Sequence, residues 1–200
     1  MVSGIVIGNR IEALLEVEKK IEIDRVYTLK NSFIDKKYKF RNKTGYYNKA
    51  NINSVLKDIY NSRAKNIISI GLNYLIPERL INPKKIYINS HPALLPDFKG
   101  LKAIEDTFRS KSNKYGITVH YINKRLDDGF IIYQHSEKIM SKDLGKIYNY
   151  IFSKLEPLAI NKSLQKLNYN YLVNDKFSIG GEFTNFNNFI SKKKNNNLVF

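Results

Sequence analysis

Cysteine is absent from this 200-residue sequence, and histidine occurs only three times. Without cysteine, the chain carries no thiol nucleophile, no disulfide framework and no thiolate metal site. Three histidines are also too few to favour a metal centre built mainly on imidazole ligands. We therefore predict that the protein needs no metal.

Long apolar runs are lacking as well. No stretch approaches the roughly 20 apolar residues that a membrane-spanning helix requires. Near the amino terminus, residues 5–7 form only a brief apolar run, and the acidic residues Glu12 and Glu16 follow soon after. This pattern is not typical of a secretory signal. We expect a cytoplasmic protein with no membrane partner.

Acidic residues are scarce relative to basic ones. The chain has 34 Lys and Arg residues against 18 Asp and Glu residues, which gives a formal net charge of +16. Such a surplus favours anionic partners, such as phosphates, a polyglutamate tail, nucleic acid or an acidic membrane surface. A genome biased towards Lys, Asn and Ile would produce the same surplus without any function, so both explanations stay open.

The order of the predicted elements indicates an α/β fold. Residues 4–8, 25–29 and 66–71 are predicted as strands, and residues with helical spacing lie between them. This alternation predicts a Rossmann-like, mostly parallel, twisted sheet with helices on both faces. Two hundred residues are too few for two full domains, so we assign residues 1–168 to one catalytic domain.

Two further segments have a distinct composition. Residues 37–41 alternate basic and aromatic side chains, which fits either a nucleotide-stacking surface that uses Tyr38 or Phe40, or a solvated edge strand. Residues 169–200 are rich in Asn and Phe and contain a Gly-Gly pair suited to a hairpin turn. We predict a small β appendage there, as a hairpin or interface element, followed by a frayed basic tail.

Functional side chains are expected where strands end. Residues 85–88 are predicted as a short strand whose carboxyl end presents Asn89 and His91 on the same side of the chain. Ligands of open α/β sheets bind beyond such strand ends. Taken singly, however, Asn89 fits a turn cap, His91 a structural hydrogen bond, and Asp127 an Asx turn.

Two motifs together resemble the folate-dependent formyltransferases. Asn-x-His-Pro-x-Leu-Leu-Pro-x-Phe-Lys-Gly begins at Asn89, and Gly-x-Thr-Val-His with Leu-Asp-x-Gly-x-Ile-Ile-x-Gln follows. That family includes glycinamide ribonucleotide formyltransferase, sugar N-formyltransferases, methionyl-tRNA formyltransferase and formyltetrahydrofolate deformylase. The resemblance covers residues 67–166 and implies a Rossmann-like formyltransferase domain whose catalytic trio is Asn89, His91 and Asp127. Asp128 occupies a variable position in the pattern, and we assign His120 and His135 structural roles.

The resemblance also implies ligands and their sites. The donor would be 10-formyltetrahydrofolate, a co-substrate, and the acceptor would be a small amine that carries phosphate or diphosphate. The implied donor-binding residues are Asn73, Tyr74, Leu75, Ile76, Asn123, Lys124 and Arg125. The residues we predict for the acceptor are Gly8, Asn9, Arg10 and Lys99.

The sequence favours one acceptor without settling it. Residues 7–11 lack the Gly-Ser phosphate loop of the glycinamide ribonucleotide enzymes, and residues 70–77 resemble the nucleotide-sugar N-formyltransferases, whereas residues 98–100 favour the former. We expect a nucleotide-linked amino sugar, with glycinamide ribonucleotide as the alternative. A basic nucleic-acid-binding module without catalysis would explain the charge but not the trio, and a homodimer is left open.

Overall fold

The computed structural model describes residues 3–38 and 43–173, with side chains described as far as Leu167. Seven strands form one sheet in the order β3-β2-β1-β4-β5-β6-β7. The strands are β1 Ser3–Gly8, β2 Glu22–Thr28, β3 Thr44–Tyr46, β4 Asn66–Ile70, β5 Ile86–His91, β6 Lys114–Tyr121 and β7 Ile131–Lys138. Strands β1 to β5 are parallel, whereas β6 pairs antiparallel with both β5 and β7. The predicted mostly parallel sheet is confirmed.

Helices connect the strands. They are α1 Ile11–Glu18, α2 Phe33–Lys37, α3 Ile52–Asn61, α4 Ala103–Arg109, α5 Leu144–Tyr150 and α6 Glu156–Val173, with one 3₁₀ turn at Glu78–Leu80. A π-helical segment, Ile151–Leu155, joins α5 directly to α6. Pro157 follows this segment and has no N–H, so the α-helical ladder cannot pass unchanged through that position. None of the described helices is both long and apolar enough to cross a membrane.

Apolar side chains pack on both faces of the sheet. Because side chains alternate along a strand, Val6 joins one buried cluster while its neighbours Ile5 and Ile7 join the other. Helices α1, α5 and α6 contribute to the first cluster, and α3 contributes to the second. The prediction of helices on both faces is therefore confirmed.

Two boundaries differ from the sequence-based expectation. The edge strand predicted within residues 37–41 lies later, at Thr44–Tyr46, because residues up to Lys37 form α2. Residues 39–42 are outside the described part of the chain. The predicted domain boundary at residue 168 falls inside α6, which continues to Val173. The β appendage predicted for residues 169–200 lies, from residue 174 onwards, outside the described residues.

Lys85 is buried immediately before β5, and its side chain caps the carboxyl end of α3. Its side chain is only 6% exposed. Its Nζ donates to the Ile59 carbonyl at 2.8 Å and to the carbonyl and hydroxyl oxygens of Ser62 at 2.6 Å. Burial lowers the pKa of Lys85. A cation at a helix carboxyl end satisfies carbonyls that have no partner within the helix.

Lys85→Met should therefore lower the free energy of unfolding. The substitution keeps most of the length of the side chain but removes all three donated hydrogen bonds, which should reduce stability by about 1–3 kcal/mol. Urea unfolding would measure the difference. Lys84→Met is the matched control, since Lys84 is an exposed neighbour and its loss should leave stability nearly unchanged. Equal stabilities of the two variants would contradict this role for Lys85.

Candidate active site

A cavity lies at the edge of the sheet where the parallel strands end. Its volume is about 310 Å³, which is in the range of small-molecule sites. Strand β5 contributes Asn89 and His91, strand β6 contributes His120, and the loop between β6 and β7 contributes Asp127. The structure thus brings the three predicted catalytic residues to one wall, although they come from separate segments.

His91 is held between two acceptors. Its Nδ1 lies 3.3 Å from Asp127 Oδ2, and its Nε2 lies 2.8 Å from the Phe98 carbonyl oxygen. Both contacts are satisfied together when the ring is protonated, because each nitrogen then donates. Burial lowers the pKa of His91, although Asp127 and the Phe98 carbonyl oppose this effect. A proton on this ring is therefore positioned by two contacts but is readily released.

The Asn89 amide is oriented from the opposite side. The Ser69 hydroxyl donates to Asn89 Oδ1 at 2.8 Å, which leaves the amide nitrogen facing His120. The distance from Asn89 Nδ2 to His120 Nε2 is 3.3 Å. Since an amide nitrogen has two N–H donors, one can bond to His120 while the other remains available towards the cavity.

His120 lies closer to the predicted trio than the sequence indicated. The residue has functional neighbours, because its Nε2 lies 3.3 Å from Asn89 Nδ2 and 3.6 Å from Asp127 Oδ1. Its Nδ1–H donates to the Tyr121 carbonyl at 2.9 Å, which leaves Nε2 as an acceptor in the neutral ring. The pairing of β5 with β6 sets Asn89 opposite His120, and this pairing is the feature from which the proximity could have been predicted. His135 lies on β7 beside Glu137, outside the cavity wall.

Asp127 faces into the site, whereas Asp128 faces outwards. The Asp127 side chain is 8% exposed, and its Oδ2 accepts the Gly100 N–H at 2.8 Å. Burial raises the pKa of Asp127, but the neighbouring His120 ring, the charge of His91 and the Gly100 N–H outweigh it, so the pKa is lowered overall. Asp127 also has φ 46°, a conformation that non-glycine residues seldom adopt outside functional or tightly constrained sites.

Asp128 bridges two loops at the rim. Its carboxylate lies 2.5 Å from Lys99 Nζ and 3.4 Å from an Arg125 nitrogen. The loop between β6 and β7 is further fixed by Gly129, where a Cβ atom would lie 1.5 Å from the Tyr121 carbonyl oxygen. Only glycine fits this position, so the backbone that carries Asp127 is held against the end of β6.

Most of the predicted donor-binding residues line the cavity. Six of the seven line it, namely Asn73, Tyr74, Leu75, Ile76, Asn123 and Arg125. Lys124 is exposed and lies outside the wall. Leu75, Leu101 and Leu126 also line the cavity, and because they are 56%, 74% and 53% exposed they give it an apolar rim.

The four residues predicted for the acceptor are distributed differently. Only Arg10 lines the cavity, while Lys99 is at the rim with Asp128. The Asn9 N–H already donates to the Ile70 carbonyl at 3.0 Å, so it is not free to bind a phosphate of the acceptor. Gly8 is needed for close packing, since a Cβ atom there would lie 1.9 Å from the same carbonyl oxygen. Among the residues described, no group of three potential ligands could hold a metal ion.

Several known proteins are similar to parts of this chain. The phosphoribosylglycinamide formyltransferase of Bacillus subtilis is 41% identical over 69 residues, which cover 34% of this chain and 35% of that protein. The methionyl-tRNA formyltransferase of Fusobacterium nucleatum is 32% identical over 92 residues, which cover 46% of this chain and 30% of that protein. The chain thus spans about a third of the length of each of these relatives.

The fold is shared over a longer stretch. The crystal structure of phosphoribosylglycinamide formyltransferase from Bacillus halodurans has a TM-score of 0.70 at 21% identity, covering 82% of this chain and 95% of that chain. At this identity the likeness concerns the fold. The family model described as formyl transferase matches residues 18–164, which is most of the sequence. The resemblance seen in the motifs is thereby confirmed, and this chain belongs to the formyl transferase family.

Proposed function

We propose that this protein transfers the formyl group of 10-formyltetrahydrofolate to the amine of a small phosphorylated acceptor, a nucleotide-linked amino sugar. The observation that carries the proposal is the convergence of Asn89, His91 and Asp127 on one cavity wall. Each side chain is fixed by a further contact: Asn89 by Ser69, His91 by Phe98, and Asp127 by Gly100. Such fixed orientation is what transition-state stabilisation requires.

The reaction requires stabilisation of an oxyanion, protonation of N10 and removal of a proton from the attacking amine. The acceptor amine attacks the formyl carbon, a new C–N bond forms, and the carbonyl oxygen becomes an oxyanion. The free N–H of Asn89 would stabilise that oxyanion, and one such donor is worth ~3 kcal/mol. A protonated His91 would add a second donor by exchanging its contact with the Phe98 carbonyl for one with the oxyanion. As the bond from the formyl carbon to N10 breaks, N10 needs a proton, and the lowered pKa of His91 makes its ring a ready donor.

Asp127 would serve as the proton acceptor for the attacking amine. Its pKa is lowered overall, so the carboxylate is ionised at neutral pH and able to take a proton directly or through water. His120 contacts both Asn89 and Asp127. We assign it a positioning role, because it touches two of the three reacting side chains at once.

The apolar rim supports a flat, largely apolar donor. Exposed leucines around a cavity are costly in water and gain free energy when a ligand covers them. Leu75, Leu101 and Leu126 would contact the aromatic part of the folate, while backbone groups of residues 73–76 would meet its ring edge. The carboxylates of the donor would then lie near Arg125 at the mouth.

Substitution of the trio tests the chemistry. Asp127→Asn, His91→Asn and Asn89→Ala should each fold and lower kcat by about 10²–10⁴, the range for a general acid or base or an oxyanion donor. Because the three act together, double substitutions should lose much less than the product of the single effects. Steady-state formylation assays would measure this.

Asp128→Asn is the matched control for Asp127→Asn. The two carboxylates are adjacent, but Asp128 contacts rim cations rather than the trio. It should therefore keep most of the turnover. The assignment would be wrong if Asp127→Asn retained near-normal turnover while Asp128→Asn abolished it.

The proposed location of the donor can be tested by hydrogen exchange. A stable folate analogue should protect the amides of residues 73–76 and 123–127 from hydrogen exchange. Asn73→Ala should weaken binding only slightly, because backbone groups make the contacts, whereas Leu75→Pro removes an N–H and restricts φ and should weaken it strongly. Protection confined to other segments would refute this location of the donor.

The choice of acceptor rests on the β1–α1 turn. A phosphomonoester held as in a phosphate loop needs free backbone N–H groups, and the Asn9 N–H is already bonded. Arg10 instead places a side-chain donor in the cavity. Glycinamide ribonucleotide is the second candidate, because the phosphoribosylglycinamide formyltransferase of Bacillus subtilis is 41% identical over 69 residues.

Direct competition would separate the two acceptors. With 10-formyltetrahydrofolate as donor, a thymidine-diphosphate-linked 4-amino sugar should be formylated with a higher kcat/KM than glycinamide ribonucleotide, because specificity is the ratio of these constants. The opposite order, by a wide margin, would assign the chain to purine synthesis. Binding of nucleic acid with a steep salt dependence and no turnover of either amine would favour the non-catalytic alternative.

A further inference from the structure

Glu156 is a fully buried carboxylate that the proposed chemistry does not use. Its side chain has 0% exposure. Arg10 donates to its Oε2 at 3.2 Å and its Oε1 at 3.3 Å, and the Ser90 hydroxyl donates to Oε1. A buried ion pair is often no more stable than apolar residues of the same volume. Stability alone therefore does not explain why a carboxylate lies here.

Arg10 is held in two directions. Its guanidinium carbon lies 3.3 Å from the centroid of the Phe152 ring, which fixes the plane of the group. Glu156 holds one terminal nitrogen, which fixes the rotation within that plane. Phe152 lies in the π-helical segment that immediately precedes Glu156, and such wide turns are frequent at functional sites.

The held guanidinium forms part of the catalytic cavity. Arg10 and Ser90 both line it, and Arg10 is close enough to His91 for its charge to lower the pKa of that ring, although burial is the larger cause. An arginine has five N–H donors, and Glu156 engages those of one terminal nitrogen. The remaining donors are available at a fixed position beside the trio.

The charge of this pair limits what it can bind. Arg10 and Glu156 together carry no net charge, so the pair offers directed donors without a strong attraction for a dianionic phosphate. A neutral oxygen, such as a hydroxyl or carbonyl of the acceptor next to its amine, suits such donors. We propose that Glu156 is a positioning residue that, with Phe152, holds Arg10 to bind an uncharged oxygen of the acceptor.

This proposal rests on the proposed formyl transfer and makes a kinetic prediction. Arg10→Met and Glu156→Gln should each raise the acceptor KM about tenfold or more, while the KM for 10-formyltetrahydrofolate stays unchanged, because neither residue is among those proposed to bind the donor. Because Glu156 acts through Arg10, the double variant should be no worse than Arg10→Met alone. Phe152→Leu should raise the acceptor KM without disturbing the buried charge.

Ionic strength distinguishes an uncharged ligand group from a phosphate. The ratio of acceptor KM between Arg10→Met and the unaltered protein should be the same at low and high salt. A ratio that falls steeply with salt would assign a phosphate to Arg10 and overturn the proposal. Glu16→Gln is the matched control, since Glu16 joins α1 to α6 through Asn161 at 2.7 Å but lies outside the cavity wall.

The arrangement in which Glu156 and Phe152 hold Arg10, called the clamp below, and the proposed formyl transfer are overturned by different outcomes. Turnover by the unaltered protein, with acceptor KM unchanged in Arg10→Met and Glu156→Gln, would overturn the clamp and leave the function standing. Additive effects of the two substitutions would also overturn it. Absence of turnover with both the amino-sugar nucleotide and glycinamide ribonucleotide would overturn the proposed function, and the clamp with it.

Discussion

The antiparallel pairing of β5 with β6 is the constraint on which the site depends. It sets Asn89 opposite His120, and the loop that follows β6 then returns Asp127 to the same point. On the other side of β5 in the sheet, Ser69 of β4 and the segments that follow β1 and β4 also line the cavity. Reversal of strand direction at one position in the sheet therefore lets residues separated along the chain share a single cavity.

Charge within the cavity is balanced rather than uniformly positive. The chain carries a formal net charge of +16, yet its described active-site cations are matched by carboxylates: Arg10 by Glu156, and Lys99 and Arg125 by Asp128. The basic surplus therefore lies mainly away from the reacting groups. Long-range attraction of an anionic ligand and its local recognition are then separate properties of the molecule.

Local signals in the sequence predicted the parallel sheet and the position of the trio. The strand ending at residue 88 and the motif around Asn89 are both contiguous, so short-range pattern and chemistry suffice to find them. The contacts of His120 with Asn89 and Asp127 were not predicted, because they depend on strand pairing. The partner of Arg10 was not foreseen either, since Glu156 lies 146 residues away and no local pattern links them. Contacts of this kind are fixed by tertiary packing.

Strand β5 uses both of its faces. Asn89 turns towards Ser69, whereas the intervening Ser90 turns to the opposite side and bonds with Glu156. A slip of one residue in this strand would exchange the two sets, because side chains alternate strictly between faces. Insertions and deletions should thus be excluded from β5, while the adjoining loops are free to vary in length. Related proteins with different acceptors would then differ in their loops and helix turns, while the length of β5 stays constant.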